Sequence, residues 1–363
     1  MKILHCITRF NQGGTVTWLN QLMMPGVFDS DEVFLLFGAC SSNEIEGTPA
    51  PGYKVLRSKF LKRAINPLGD FRAILEIRKV FEKIRPDILV THTFKAGLVA
   101  RIGAMTIVSH KRPRVVHTIH GHLQYGYFGN LGSRVTVFLE KRLERFTDFF
   151  IVAGTRLMKE VKASGQLRKS KCAVILPGID SSAFKERTKG LEPQGRMQIG
   201  WLGRMARIKR PDRLVEIAKR IPEADFQVGG TGELEISTRE SAPSNMTLVG
   251  WANPSDFWQN VDIGLLTSDN EATPYSIIEG SLCGVPFVAS DVGSVSDALA
   301  DGETGYLVRT DVESFVAKIQ ILIRDSNIRR KFGSQARELS LGRFGISRFQ
   351  REHREIFLKV MNG

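Results

Sequence analysis

No window of the sequence approaches the roughly 20 consecutive apolar residues that a membrane-spanning helix needs. The opening run MKILHCI is apolar but short, and Thr8-Arg9-Phe10-Asn11 follows where a leader would carry small residues. It predicts a first strand, not a signal peptide. Cysteine is scarce: Cys6, Cys40, Cys172 and Cys283 are scattered without a CxxC spacing. That argues against disulfides and zinc, and predicts a reducing, cytoplasmic setting. Internal repeats and low-complexity tracts are absent, and no G-x-G-x-x-G supports a dinucleotide cofactor. Acidic residues are short in one half only. Residues 1–180 hold 27 Lys and Arg against 14 Asp and Glu, whereas residues 181–363 hold 24 of each. Such a field attracts an acidic partner, although solubility alone explains it equally well.

What is present is a regular alternation. A chain of 363 residues suits two domains. Short apolar runs at 2–7, 32–37, 87–91, 114–119, 149–153 and 172–176 predict strands, and a second series runs through 198–202, 225–228, 247–249, 262–266 and 286–289. Amphipathic patterns at 71–83, 133–145, 211–220 and 312–323 predict helices between them. The class is α/β with parallel sheets, and two Rossmann-like domains facing a cleft is the economical architecture. The expected division is 1–180, 181–345 and a closing segment 346–363, whose Phe349, Ile356 and Val360 form one stripe that packs back on the first domain.

The densest cluster of signals runs from Ser268 to Pro286. An acidic loop with Glu271 follows the apolar run ending at Leu266, and Thr273, Pro274 and Gly284 predict an N-cap, a first helical position and a stop. A helix starting there, with Tyr275 and Ser276 in its first turn, offers backbone N–H groups to a diphosphate. Glu279 lies further along it. Two glutamates at this spacing are unremarkable alone; the strand, cap, proline and Gly-Val-Pro exit around them are not.

This string resembles the E-x7-E signature of the family 4 retaining glycosyltransferases, and the resemblance extends over essentially the whole chain. It implies the GT-B fold, with a nucleotide-diphospho-sugar held mainly by the C-terminal domain. Glu271 is expected on the donor sugar and Glu279 on the ribose. One departure is Ala272, where glycine is usual.

Other segments fit the same picture. Arg204 and Lys209, after Gly200-Trp201-Leu202-Gly203, resemble the family's Gly-Arg…Lys pair, which neutralises a departing diphosphate. Gly13 and Gly14 permit close backbone approach to that diphosphate, and Gly230 belongs to a second glycine loop expected beside the nucleotide base. Each could equally be a tight turn. His117-Thr118-Ile119-His120-Gly121-His122 resembles the family's His-x-x-His-Gly run, with His120 facing the donor sugar and His122 the acceptor. Thr91-His92-Thr93-Phe94-Lys95-Ala96-Gly97 resembles members that build bacterial surface polysaccharides, with Lys95 a candidate for an acceptor phosphate. Lys54, Arg57, Lys59, Lys62 and Arg63, interleaved with Phe60 and Leu61, form a basic-apolar run suited to an anionic membrane. No nucleic-acid motif accompanies it, so nucleic acid is not expected as a partner.

The expected activity is therefore retaining transfer from a nucleoside-diphosphate sugar, UDP-linked, to a lipid-linked glycan of a surface polysaccharide or lipopolysaccharide. No metal or other cofactor is expected. Asp29-Ser30-Asp31 has D-x-D spacing but reads as a turn. The setting is cytoplasmic, peripheral on the inner face of the membrane. The rival readings are a UDP-N-acetylglucosamine 2-epimerase-like enzyme and a non-catalytic basic membrane-binding protein on the same scaffold.

Overall fold

Strands buried on both faces pair in parallel when helices cover both sides of the sheet, and this chain builds that arrangement twice. The computed structural model describes residues 1–42, 44–64, 66–107, 112–121, 130–167, 171–187 and 195–363. It contains two units, Met1–Gly178 with Ile346–Gly363, and Ile179–Gly345.

In the first unit the strands are β1 (Lys2–Arg9), β2 (Glu32–Gly38), β3 (Lys54–Arg57), β4 (Ile88–His92), β5 (Arg114–Ile119), β6 (Phe149–Val152) and β7 (Cys172–Val174). They pair in parallel in the order 3-2-1-4-5-6-7. Helices α1 (Gly14–Leu22), α2 (Pro67–Ile84), α3 (Phe94–Met105), α4 (Asn130–Leu143) and α5 (Thr155–Ala163) connect them. The second unit orders β8 (Gln198–Leu202), β9 (Asp225–Gly229), β10 (Met246–Gly250), β11 (Ile263–Leu266), β12 (Phe287–Ser290) and β13 (Gly305–Val308) as 10-9-8-11-12-13. Its helices are α6 (Pro211–Arg220), α7 (Glu235–Ser241), α8 (Pro254–Gln259), α9 (Tyr275–Leu282), α10 (Val312–Arg324) and α11 (Ser326–Arg343). The last helix, α12 (Ile346–Asn362), belongs to the first unit, where Phe349 packs edge-on against Trp18 at 4.7 Å.

Local chemistry sets the boundaries. The Asn66 side chain accepts a hydrogen bond from Gly69 N and Pro67 takes the first helical position, so α2 starts earlier than its apolar pattern predicts. Its Ala73, Ile77 and Phe81 join Leu4, Cys6, Leu36 and Leu89 in the core of the first unit. In the second, Leu214, Ile217 and Ala218 of α6 pack with Ile199, Phe226, Ile263 and Phe315. Strands β3 and β13 and helices α5, α7, α8 and α11 were not anticipated. Strand β3 lies in the basic run, where Lys54 pairs with Glu32 at 3.3 Å and Arg57 with Glu46. Strand β13 and helix α11 lack a strong apolar pattern. Among the described residues no helix is long and apolar enough to cross a membrane.

Candidate active site

In each sheet the strand order reverses beside the first strand of its series, β1 against β4 and β8 against β11. Loops leaving the C-terminal ends of such strands form the ligand-binding crevice of an open α/β sheet.

In the second unit these loops are laced together. The Trp201 indole of β8 donates to Thr267 Oγ1 at 3.0 Å, and that hydroxyl donates to the carbonyl of Lys209 at 2.9 Å. The Arg213 guanidinium holds the Asp269 carboxylate at 2.7 Å. Lys209, from the β8 loop, forms an ion pair with Glu271, from the β11 loop. Ser268 Oγ donates to the same Glu271 oxygen at 2.6 Å. Behind it, Ser294 N donates to the Glu271 carbonyl at 3.1 Å. Gly293 has φ +48° there, and a Cβ on it would stand 1.8 Å from that oxygen. Only glycine fits so close to the backbone. Arg204, on the same β8 loop, makes no ion pair among the described residues and is partly exposed.

Helix α9 begins at this crevice. The expected cap is displaced by one residue: Pro274 is the N-cap, without a side-chain hydrogen bond. Thr273 turns its hydroxyl to Asp297 instead, at 3.3 Å. Tyr275 and Ser276 form the partly exposed first turn, and Glu279 is buried on the inner face. Burial pushes the Glu279 carboxyl up to about 7, with the Trp258 indole pulling the other way. Gly230 serves the loops themselves. At φ +125°, a Cβ there would lie 1.9 Å from the Gly203 carbonyl, so glycine lets the β8 and β9 exits touch.

In the first unit, Gly13 caps α1 at φ +147° with open space around its missing side chain, and Gly14 begins the helix. His120 follows β5, half-buried. His117 points elsewhere and shares a 2.7 Å hydrogen bond with Thr91. Lys95 departs from expectation. Its ammonium is buried, 2.6 Å from the Asp70 carboxylate and 2.8 Å from the Ala64 carbonyl. Helix α3 is also capped, because Ala96 N donates to Thr8 Oγ1 at 3.1 Å. The cation proposed for an acceptor phosphate is already compensated within the fold. His122 lies outside the described residues. Asp31 of the D-x-D string pairs with Arg354 of α12, and Asp29 accepts from Gly26 N at 2.9 Å, a tie and a turn.

The sequence reading missed the surroundings of His120. Its Nε2 lies 2.9 Å from His92 Nδ1, and His92 Nε2 lies 3.0 Å from His5 Nδ1. Trp18 meets the His120 ring edge-on at 5.1 Å, and His353 of α12 packs against Trp18 at 5.4 Å. Burial holds these imidazoles well below the usual range, His5 at about 3 and His353 at about 4. His5 and His92 could be read as strand residues; nothing marked His353 as their neighbour.

The chain is similar in sequence and fold to known proteins. A family model described as Glycosyltransferase Family 4 matches residues 31–183, and one described as Glycosyl transferases group 1 matches residues 196–325. The chain is 25% identical to the capsular polysaccharide biosynthesis glycosyltransferase CapM of Staphylococcus aureus, over 77% of this chain and 78% of that protein. It is 24% identical to the UDP-Gal:alpha-D-GlcNAc-diphosphoundecaprenol alpha-1,3-galactosyltransferase of Escherichia coli, over 83% of this chain and 82% of that one. Among solved structures, sucrose-phosphate synthase from Thermosynechococcus elongatus superposes with a TM-score of 0.85 at 17% identity, over 99% of each chain. Anabaena HepE in complex with UDP and glucose gives 0.82 at 18%, over 99% of this chain and 100% of that one.

Proposed function

We propose that this chain, which belongs to glycosyltransferase family 4, moves a sugar from a UDP-sugar to a lipid-linked glycan with retention of anomeric configuration. The carrying observation is the crevice of the second unit, where Glu271, in the loop that leads into α9, pairs with Lys209 of the β8 loop that also carries Arg204. The names of the relatives support the substrate class, because two of them act in capsule assembly or on a diphosphoundecaprenol acceptor.

The chemistry follows from the groups present. The acceptor oxygen attacks the anomeric carbon on the face from which the diphosphate leaves. As that C–O bond breaks, the departing phosphate oxygen takes the acceptor's proton. Arg204, Lys209 and the N-terminal dipole of α9 stabilise the negative charge that develops on the diphosphate. Lys209 is paired with Glu271. Binding exchanges that pair: the lysine turns to phosphate, and the carboxylate is released to accept from sugar hydroxyls. Glu279 takes the ribose hydroxyls, and His120 is read as a sugar-binding residue. No metal enters this scheme.

The surface of the first unit suits a membrane-borne acceptor. Leu68, Phe71 and Leu75 form one exposed stripe on α2, at 60%, 57% and 42% exposure. Phe60 lies beside them under the Arg72 guanidinium, with exposed Lys59, Lys62 and Arg63 adjacent. Apolar anchors ringed by cations match an anionic lipid surface.

The test is a thermal-shift panel of nucleotides followed by transfer from the best UDP-sugar to a diphospholipid glycan. UDP should raise the melting temperature and GDP or ADP should not. Turnover of UDP-N-acetylglucosamine without any acceptor would favour the epimerase reading. Loss of transfer with chelator and its return with Mn²⁺ would overturn the metal-free scheme.

A further inference from the structure

Three rings, His5 within β1, His92 at the end of β4 and His120 just after β5, form a continuous hydrogen-bonded row. His5 Nδ1 meets His92 Nε2 at 3.0 Å, and His92 Nδ1 meets His120 Nε2 at 2.9 Å. The rings also stack, with centroids 5.3 Å and 5.2 Å apart and planes within 30° of parallel. A neutral imidazole has one N–H and one lone pair. His92 uses both of its nitrogens, so it must donate once and accept once, and the row is polarised head to tail. The tautomer of His120 is thereby tied to that of His5, two strands away.

The ends of the row decide its direction. His5 is 1% exposed, between the edge of Tyr53 and the ring of Phe357. The Tyr53 hydroxyl is already committed to the Leu19 carbonyl at 2.9 Å. Among the described residues nothing accepts a hydrogen bond from His5 Nε2. A buried N–H without an acceptor is the rarer and costlier orphan, so the proton belongs on His5 Nδ1. That makes His92 Nε2 an acceptor, His92 Nδ1 a donor, and His120 Nε2 an acceptor. The remaining N–H, on His120 Nδ1, then sits on the half-buried ring, where a ligand or water can accept from it. Trp18, edge-on to His120 at 5.1 Å, and His353 behind it at 5.4 Å fix the ring from its other side.

We infer that His92 and His5 are positioning residues that lock His120 into its Nδ1–H tautomer, so that it offers a fixed hydrogen-bond donor to the transferred sugar. This rests on the reading that His120 meets that sugar. The row adds what that reading lacks, a reason for the ring to present a donor and not an acceptor.

The test joins a spectroscopic and a kinetic measurement on the full chain. Ring-¹⁵N histidine spectra of the unmodified protein at neutral pH should show pyrrole-type Nδ1 and pyridine-type Nε2 for His5, His92 and His120. A protonated Nε2 on His120 overturns the proposal. In H92N the amide still donates to His120, so the tautomer should hold and kcat should stay within about threefold. H92F fills the space but cannot donate; His120 should then show mixed tautomers, with kcat down by about tenfold and KM for the UDP-sugar little changed. In an H120A background the H92F penalty should vanish. Full transfer by H120A would refute the reading of His120 itself, whatever the tautomers. An impaired H120A beside an unimpaired H92F would refute only the row.

Discussion

The two units repeat one topology and differ in how they use charge. The first holds 31 Lys and Arg against 15 Asp and Glu, the second 20 against 23. Yet the charges gathered at a crevice lie in the second, where Lys209 faces Glu271 and Arg213 faces Asp269. The first places neutral rings and glycines at its strand ends, beside the Arg9–Glu44 ion pair that closes β1. Its internal charges serve the fold. On the proposed reading, the same order of strands carries charge-pair recognition in one unit and neutral hydrogen bonding in the other.

The sharpest way to break that comparison is Arg101, buried in α3 with its guanidinium 2.6 Å from the buried Glu140 carboxylate. If charge inside the first unit is structural, Arg101→Leu leaves Glu140 uncompensated and should lower stability by about 3–5 kcal/mol. Denaturant titration measures this. A loss below about 1 kcal/mol, or a loss of transfer in a fully stable variant, would contradict the structural role.

Glu271→Gln tests the other side. If Glu271 orients Lys209 and receives the sugar as proposed, removing its charge should slow transfer by about 10²–10³-fold, or about 2.7–4 kcal/mol at the transition state. The melting temperature should barely move, because the loop keeps its backbone tie to Ser294. Undiminished transfer would remove Glu271 from the site.

The outer cations are weaker individually. Replacing Lys62 and Arg63 with glutamine should reduce partition onto vesicles rich in anionic lipid by about 2 kcal/mol, roughly 30-fold. Sedimentation with anionic and neutral vesicles reads this directly. Phe71→Ser should weaken both kinds of vesicle binding, since its contribution is apolar. Equal binding by all three proteins would return the basic surface to solubility alone.

The sequence made most of the scaffold legible because parallel strands announce themselves as uninterrupted apolar runs. Arg114–Ile119, Gln198–Leu202 and Pro211–Arg220 fall where the apolar pattern places them. Strand β3 hid because an edge strand can carry Lys54 and Arg57 outward and bury little. The crevice of the second unit was readable since its chemistry is local: strand, loop, proline and helix lie within twenty residues. Its tie to Lys209 needed only a motif. The row of histidines was not readable, since it depends on register between strands and joins residues 28 and 87 positions apart. Lys95 shows the opposite failure, a helix-start cation whose partner Asp70 lies 25 residues earlier.

The smallest expected effect separates the two kinds of recognition most finely. Glu279 is a buried acid whose carboxyl stands at about 7, raised from 4.5 by desolvation. Below that pH it is neutral in the free protein. In the proposed site, ribose hydroxyls donate hydrogen bonds to Glu279 and favour its ionised form, so nucleotide binding should lower this pKa and release a proton. The sign follows: affinity is greatest above pH 7 and falls as pH drops, by at most tenfold per pH unit, or about 1.4 kcal/mol. Calorimetry with a UDP-sugar, whose diphosphate does not titrate in this range, should show that slope between pH 6 and 7. Proton release should appear as a buffer-dependent binding enthalpy. In Glu279→Gln both should disappear, with affinity left near its low-pH value. The imidazoles of the first unit among the described residues are held well below this range and contribute no slope. A slope that survives Glu279→Gln would move the titrating group elsewhere and erase the distinction between the two units.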